Sequence, residues 1–176
     1  GNALEVLEAI DHLSGTACDE RLLEVTLSLA GEVLSIGGLN GTAEEGRARA
    51  EQVLASGQAA DHFARMVSAL GGPADILQRA AKHLPATAVK QGLIPERPGI
   101  VTAVDARALG LAIINLGGGR RRVEDSIDYA VGLSEVSAIG ESVGPDRPFC
   151  VVHAASEADA ERAGMTIRAA ITIGDQ

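Results

Sequence analysis

The chain has 176 residues, room for one domain or two small ones with a real core. Apolar residues make up 46% of it and aromatics only 2%, so the core must be built from Leu, Val, Ile and Ala, and no base-stacking platform is available. The net charge of −9 argues against a nucleic-acid partner, because phosphate binding draws on an excess of Lys and Arg.

Residues 3–84 read as consecutive helices. Ala3 to Ser14 sets Leu4, Leu7, Ile10 and Leu13 near helical spacing, and Gly15 stops it. Asp19 can cap a second helix, Glu20 to Ile36, whose Leu, Val and Ile residues fall on more than one face. That helix is expected to be the most buried, with Gly37 and Gly38 ending it. Thr42-Ala43-Glu44-Glu45 has capping-box spacing and opens a charged, exposed helix to about Ala55. Gln58 to Leu70 gathers Ala59, Phe63, Met66, Val67 and Leu70 on one face. Pro73 fits the first turn of a fifth helix that runs to about His83.

Pro85, Pro95 and Pro98 break the helical pattern, and 85–98 is expected to be a hinge or linker. Beyond it the pattern becomes α+β. GIVTAV (99–104) reads as a strand, and Asp105 caps an apolar helix to Leu116. VGLSEVSAIGESV mixes short strands with turns, and Gly144 to Pro148 is a turn. Strands are expected near 148–153 and 165–173, with a short helix capped by Ser156 and Asp159 between them.

The apolar helix runs into LGGGRRRVEDSIDY, three glycines followed by three arginines. A phosphate cradle needs glycines before a helix, where free N–H groups and the positive dipole end face the anion. Here they follow one. The pattern predicts a left-handed C-cap, with Arg120, Arg121 and Arg122 answering the negative end. There is no GxxxxGK[ST] motif either.

Asp125 and Asp128 could share one face of a helical turn, but beside three arginines they read as a solvated charge cluster. The histidines are His12, His62, His83 and His153, and none forms HExxH. Cys150 and His153 lie three apart on a predicted strand, so their side chains leave on opposite faces and form no catalytic dyad. Cys18 and Cys150 make no CxxC pair and no disulfide framework. With no basic leader and no apolar run long enough for a bilayer, the expectation is a soluble, cytoplasmic protein without a membrane partner.

VTAVDARALGLAIINLGGGRRRVEDSIDYAVGL resembles the C-terminal domain of the thymidine phosphorylases, members of the pyrimidine nucleoside phosphorylase family. GNALEVLEAI, EVTLSLAGEVL and QAADHFARMVSALGGPADIL resemble successive segments of the same family, in the same order. The resemblance covers nearly the whole chain. It implies a helical segment at 1–84 that is the helical part of a larger α/β domain. A C-terminal α+β domain with a barrel-like mixed sheet would follow at 99–176. In the family GNALEV lies deep inside the polypeptide, after the phosphate-binding loop and the residues that hold the pyrimidine. The chain is therefore expected to be a C-terminal portion, inactive alone, and Gly1 in place of Met fits that.

The intact enzymes, as the resemblance implies, cleave a pyrimidine nucleoside with phosphate to free base and pentose 1-phosphate. They close a helical domain onto an α/β domain, use phosphate as co-substrate without an organic cofactor, and dimerise through an N-terminal region. In some members the glutamate of GNALEVxEAI, here Glu8, three residues after Glu5, helps bind a metal cation. The remaining ligands come from upstream backbone oxygens, and one carboxylate cannot build a site of six or more oxygens. Catalytic and substrate-binding residues are expected upstream of this chain.

IGESVGPDRPFCVVHA is also similar to the strand–turn–strand rhythm of biotinyl and lipoyl carrier domains. The lysines, Lys82 and Lys90, both lie outside it, so acylation chemistry has no acceptor there. The reading that competes with an enzyme portion is a stand-alone structural or interaction module that reuses the fold without catalysis.

Overall fold

Helical period and strong local caps carry the first half of the chain. The computed structural model describes residues 1–175. By their internal contacts these form two units, Val6–His83 and a second made of residues 1–5 with the chain from Leu84 onward. Five helices come first: α1 (Asn2–Ser14), α2 (Glu20–Ile36), α3 (Ala43–Ala55), α4 (Gln58–Ala69) and α5 (Ile76–His83). Asp19 accepts the Leu22 N–H at 2.8 Å to cap α2, as its spacing predicts. At α3, Thr42 Oγ1 accepts the Glu45 N–H at 3.2 Å while Glu45 Oε2 reaches back to the Gly41 N–H at 2.9 Å. The capping box therefore closes one residue further out than the standard pattern. Pro73 lies before α5 rather than in its first turn.

The expectation that α2 is the most buried helix is overturned. Only Leu27 and Gly31 are buried on it, while Val25, Leu29, Val33 and Ile36 are 48%, 62%, 68% and 84% exposed. A helix apolar on several faces needs several partners, and among the described residues α3 is its main one. That one contact is close. A Cβ on Gly31 would lie 2.5 Å from the Ala43 carbonyl, and a Cβ on Gly46 would lie 2.5 Å from the Gly31 carbonyl. Two glycines thus let the backbones touch. Arg47 then clasps α3 to α2, donating to both carboxylate oxygens of Glu24 at 3.0 and 2.6 Å and to Ser28 Oγ at 3.1 Å. This clasp holds the Glu24 carboxyl below its usual range, with the Arg47 hydrogen bond the main cause.

The second unit is α+β, in agreement with the sequence reading. Its elements are β1 (Val89–Leu93), β2 (Gly99–Val104), α6 (Ala106–Ile113), a π-helical turn (Ile114–Gly118), β3 (Gly132–Ser134), β4 (Ser142–Val143), β5 (Cys150–Ala154), α7 (Glu157–Ala170) and β6 (Ile171–Gly174). The barrel-like mixed sheet is corrected to two three-stranded antiparallel sheets, ordered β1-β5-β3 and β4-β2-β6. Strands of two to six residues leave each sheet too short and narrow to close on itself. The stretch 85–98, read as a hinge, holds β1, which pairs with β5 from Val89↔Ala154 to Leu93↔Cys150.

The strand expected at 165–173 is also corrected, because α7 continues to Ala170 and only Ile171–Gly174 is extended. Ser156 caps α7, and Ala160, Ala163, Gly164, Ile167 and Ala170 form its buried face. Small residues at helical spacing let α7 lie close on the strands: a Cβ on Gly164 would meet Leu93 at 3.2 Å. Leu93, Val101, Phe149, Cys150, Val152 and Ile167 are almost inaccessible and form the heart of this unit. Among the described residues, no helix is long and apolar enough to cross a membrane.

Candidate functional site

The glycine–arginine segment is a closed loop rather than an open cradle. Asp105 accepts the Ala108 N–H at 3.0 Å and starts α6. The helix widens into the π-helical turn, and Gly117 leaves it with φ of 98°, a left-handed conformation that favours glycine. The cap predicted at the glycines is therefore present. Beyond it, Asp125 turns back into the loop: its Oδ2 accepts the backbone N–H groups of Arg121 at 3.1 Å and Arg122 at 3.0 Å. Arg120 Nε donates to the Asp125 carbonyl at 3.0 Å. These contacts hold the Asp125 carboxyl below its usual range, with the Arg122 N–H the largest cause.

Two successive N–H groups pointing at one oxygen make the nest that binds anions elsewhere. Here the chain fills it with its own carboxylate. Asp128 does not join Asp125 on a helix face. Its carboxylate accepts the Ala130 N–H at 2.9 Å, and its backbone N–H donates to the Gly117 carbonyl at 2.9 Å. Asn2 and Ala3 tie the start of α1 to the same region, through the Gly118 and Tyr129 carbonyls.

A cavity of about 430 Å³ opens between the π-helical turn and α7, with Asn115, Arg121, Asp159, Arg162 and Thr166 among its walls. Its two guanidiniums are already engaged, Arg121 by Asn115 Oδ1 and Arg162 by Asp159 Oδ1. The Asp159 carboxylate offsets the charge of Arg162, whereas Arg121, held by a neutral amide, keeps its own.

Cys150 and His153 form no dyad. Cys150 is fully buried and its thiol is pushed up to about 12 by desolvation, so a thiolate nucleophile is not accessible. His153 instead meets Ser134 on the neighbouring strand, Oγ to Nε2 at 2.8 Å. Burial first, and then the charge of Lys90, depress its pKa below the ordinary 6.5, so the ring is neutral near pH 7. A serine hydrogen-bonded to a neutral imidazole is the start of a nucleophile–base pair. Sequence reasoning missed Ser134 because its link to His153 exists only through the β3–β5 register.

The other predicted residues lie apart. Glu8 is exposed on α1, and among the described residues no group of three His, Cys, Asp or Glu side chains could hold a metal ion. The residues present thus do not fit a complete cation site. His62 contacts Arg65 at 2.9 Å, and His83 Nε2 lies 2.6 Å from Asp75 Oδ1, which holds the Asp75 carboxyl low. His12 faces Cys18.

Comparison with known families adds one finding. Residues 100–174 match the model of the pyrimidine nucleoside phosphorylase C-terminal domain. The matched stretch contains β4-β2-β6 except Gly99, the first residue of β2, together with α6, α7 and the glycine–arginine loop. It leaves out β1, which completes the other sheet.

Proposed function

From a chain whose residues 100–174 are a pyrimidine nucleoside phosphorylase C-terminal domain, we infer a part in the phosphorolysis of pyrimidine nucleosides. In that reaction a phosphate oxygen displaces the base at C1′, giving free base and pentose 1-phosphate. The observation that carries the reading is the family match. The contribution of this chain is a scaffold, with catalytic and substrate-binding residues supplied by sequence outside it. The filled nest supports this, since the loop richest in glycine and arginine spends its donors on Asp125. Phosphate is the co-substrate, with no organic cofactor, and the setting is a cytoplasmic homodimer assembled through a region outside this chain. Glu8 would offer one oxygen to a cation whose other ligands lie elsewhere, and no step runs through that cation.

The test is release of free thymine or uracil from thymidine or uridine with phosphate. The chain alone should give no more than a no-enzyme control. A longer product that carries a glycine- and serine-rich phosphate loop upstream should turn over. Turnover by the chain alone, in a preparation free of host phosphorylase, would overturn the division of labour. A longer product that leaves pyrimidine nucleosides intact would favour a non-catalytic module.

A further inference from the structure

The connection between α2 and α3 carries reactive chemistry of its own, unrelated to phosphorolysis. It reads Gly37-Gly38-Leu39-Asn40-Gly41-Thr42, and of the chain's three asparagines Asn40 is the one that precedes a glycine. Asn2 and Asn115 lie inside helical segments, before Ala3 and Leu116. Residues 39–42 are bends, with neither helix nor strand to fix the backbone. Gly41 is exposed, and its N–H donates at 2.9 Å to Oε2 of Glu45, an exposed carboxylate in the first turn of α3. Asn40 is half-buried, and its Oδ1 is shut off from solvent with no hydrogen-bond partner. An amide carbon with an unanchored oxygen thus stands one residue before a backbone N–H already held by a base.

We propose that Asn40-Gly41 is a self-modification site, where the carboxamide closes to a succinimide that opens to aspartate or isoaspartate. The Gly41 nitrogen forms a bond to Asn40 Cγ while its proton passes to Glu45. The bond from Cγ to Nδ2 breaks, and that nitrogen takes a proton from solvent and leaves as ammonia. Glu45 returns its proton to solvent. Water then adds at one of the two ring carbonyls. Opening at Cγ gives aspartate, and opening at the backbone carbonyl gives isoaspartate, whose main chain runs through Cβ and Cγ. The net change is water in and ammonia out, with nothing oxidised.

Three features favour the closure. Glycine has no Cβ to crowd the nitrogen or to narrow its φ. Turning the carboxamide toward Gly41 breaks no bond at Oδ1 and releases an atom that is costly to bury unpaired. The capping box holds Glu45 on the Gly41 N–H, so the proton acceptor is in place before reaction. A lock on the N–H is the competing role of the same hydrogen bond. Glu45→Gln separates the two, because glutamine keeps an acceptor oxygen and loses the base. Isoaspartate would lengthen the connection that brings α2 and α3 to their close crossing at Gly31 and Gly46.

The test ages the full chain in warm neutral buffer, read by ammonia release, intact mass and peptide mapping that resolves isoaspartate. One equivalent of ammonia should be lost at Asn40, with Asn2 and Asn115 unchanged. The loss should be about tenfold or more faster than from the same chain unfolded in guanidinium chloride, as a positioned base requires. Glu45→Gln should bring the rate down to the unfolded value. A native rate at or below the unfolded one overturns the proposal, and so does a folded Glu45→Gln variant that keeps the acceleration. If that variant fails to fold, the native-against-unfolded comparison on the unaltered chain decides alone.

Discussion

Replacing glycine with alanine should have opposite signs at two helical positions, and the geometry says why. In an open helix interior the change favours folding by about 0.5–1 kcal/mol, because alanine loses less conformational freedom. Gly110 is such a place: it is exposed on α6, and a Cβ there meets nothing within 4 Å. Gly31 carries the same intrinsic gain, but its Cβ would sit 2.5 Å from the Ala43 carbonyl and 2.9 Å from the Arg47 N–H. Both are backbone atoms, so the helices must part by roughly 1 Å, which forfeits a quarter to a half of the dispersion at the contact. Overpacking of this kind costs about 1–3 kcal/mol and outweighs the propensity gain.

Urea unfolding followed by hydrogen exchange, which reads each unit separately, should therefore show Gly110→Ala stabilising its unit. Gly31→Ala should destabilise the helical one. Gly46→Ala opposes the same backbone at 2.5 Å, so the double variant should cost less than the two single losses together, since helices already parted leave little to clash. A neutral or stabilising Gly31→Ala would show that α2 and α3 do not cross this closely.

Further outcomes follow from the same contacts. The folded pKa of His153 lies below 6.5, so the unfolded chain binds the proton more readily; stability should fall as pH drops below about 6.5 and level off under the folded pKa. NMR titration with His153→Gln as control checks this, and an identical acid slope in the variant would refute it. Ser134→Ala leaves the buried ring without its partner and should cost about 1–3 kcal/mol in urea unfolding, while no loss would mean the contact is not held in solution. Asp125→Ala removes the acceptor of two loop N–H groups and should speed tryptic cleavage after Arg120, Arg121 and Arg122; an unchanged rate would mean the nest does not order the loop. Residues 1–84 should exchange faster than 99–173, because α2 leaves four large apolar side chains uncovered, and equal strong protection in a monomer would contradict that.

What could be read in the sequence was what short-range chemistry decides. The bounds of α2 follow from Asp19 and Gly37, and the start of α3 from Thr42 and Glu45, because a cap is settled within four residues. Residues 165–170 misled because Thr166 and Ile167 are β-branched. The small-residue stripe of Ala160, Ala163 and Gly164 acquires meaning only against Leu93 on a distant strand. β1 was hidden for a related reason, since prolines flank it and Gly92 interrupts its side chains. The exposure of α2 was misjudged because periodicity reports which residues want cover, and never whether cover is present. At the site, the helix cap at the glycines was legible, whereas Ser134 with His153 and Asp125 in its nest depend on long-range pairing and loop closure.

The glycine–arginine loop then decides how far the proposed function can lean on this chain. Phosphate entering the nest would have to displace Asp125, a carboxylate tethered four residues from Arg121 and three from Arg122. A short tether gives a local concentration of the order of millimolar or above, so dissolved phosphate holds no advantage of number. Nor does modest acidification release the carboxylate, because the same N–H bonds hold its pKa low. Arg122 adds charge on the same group, 3.4 Å from Asp125 Oδ1. A nest filled this way is a weak anion site and a firm turn, which leaves the glycines to shape the exit from α6.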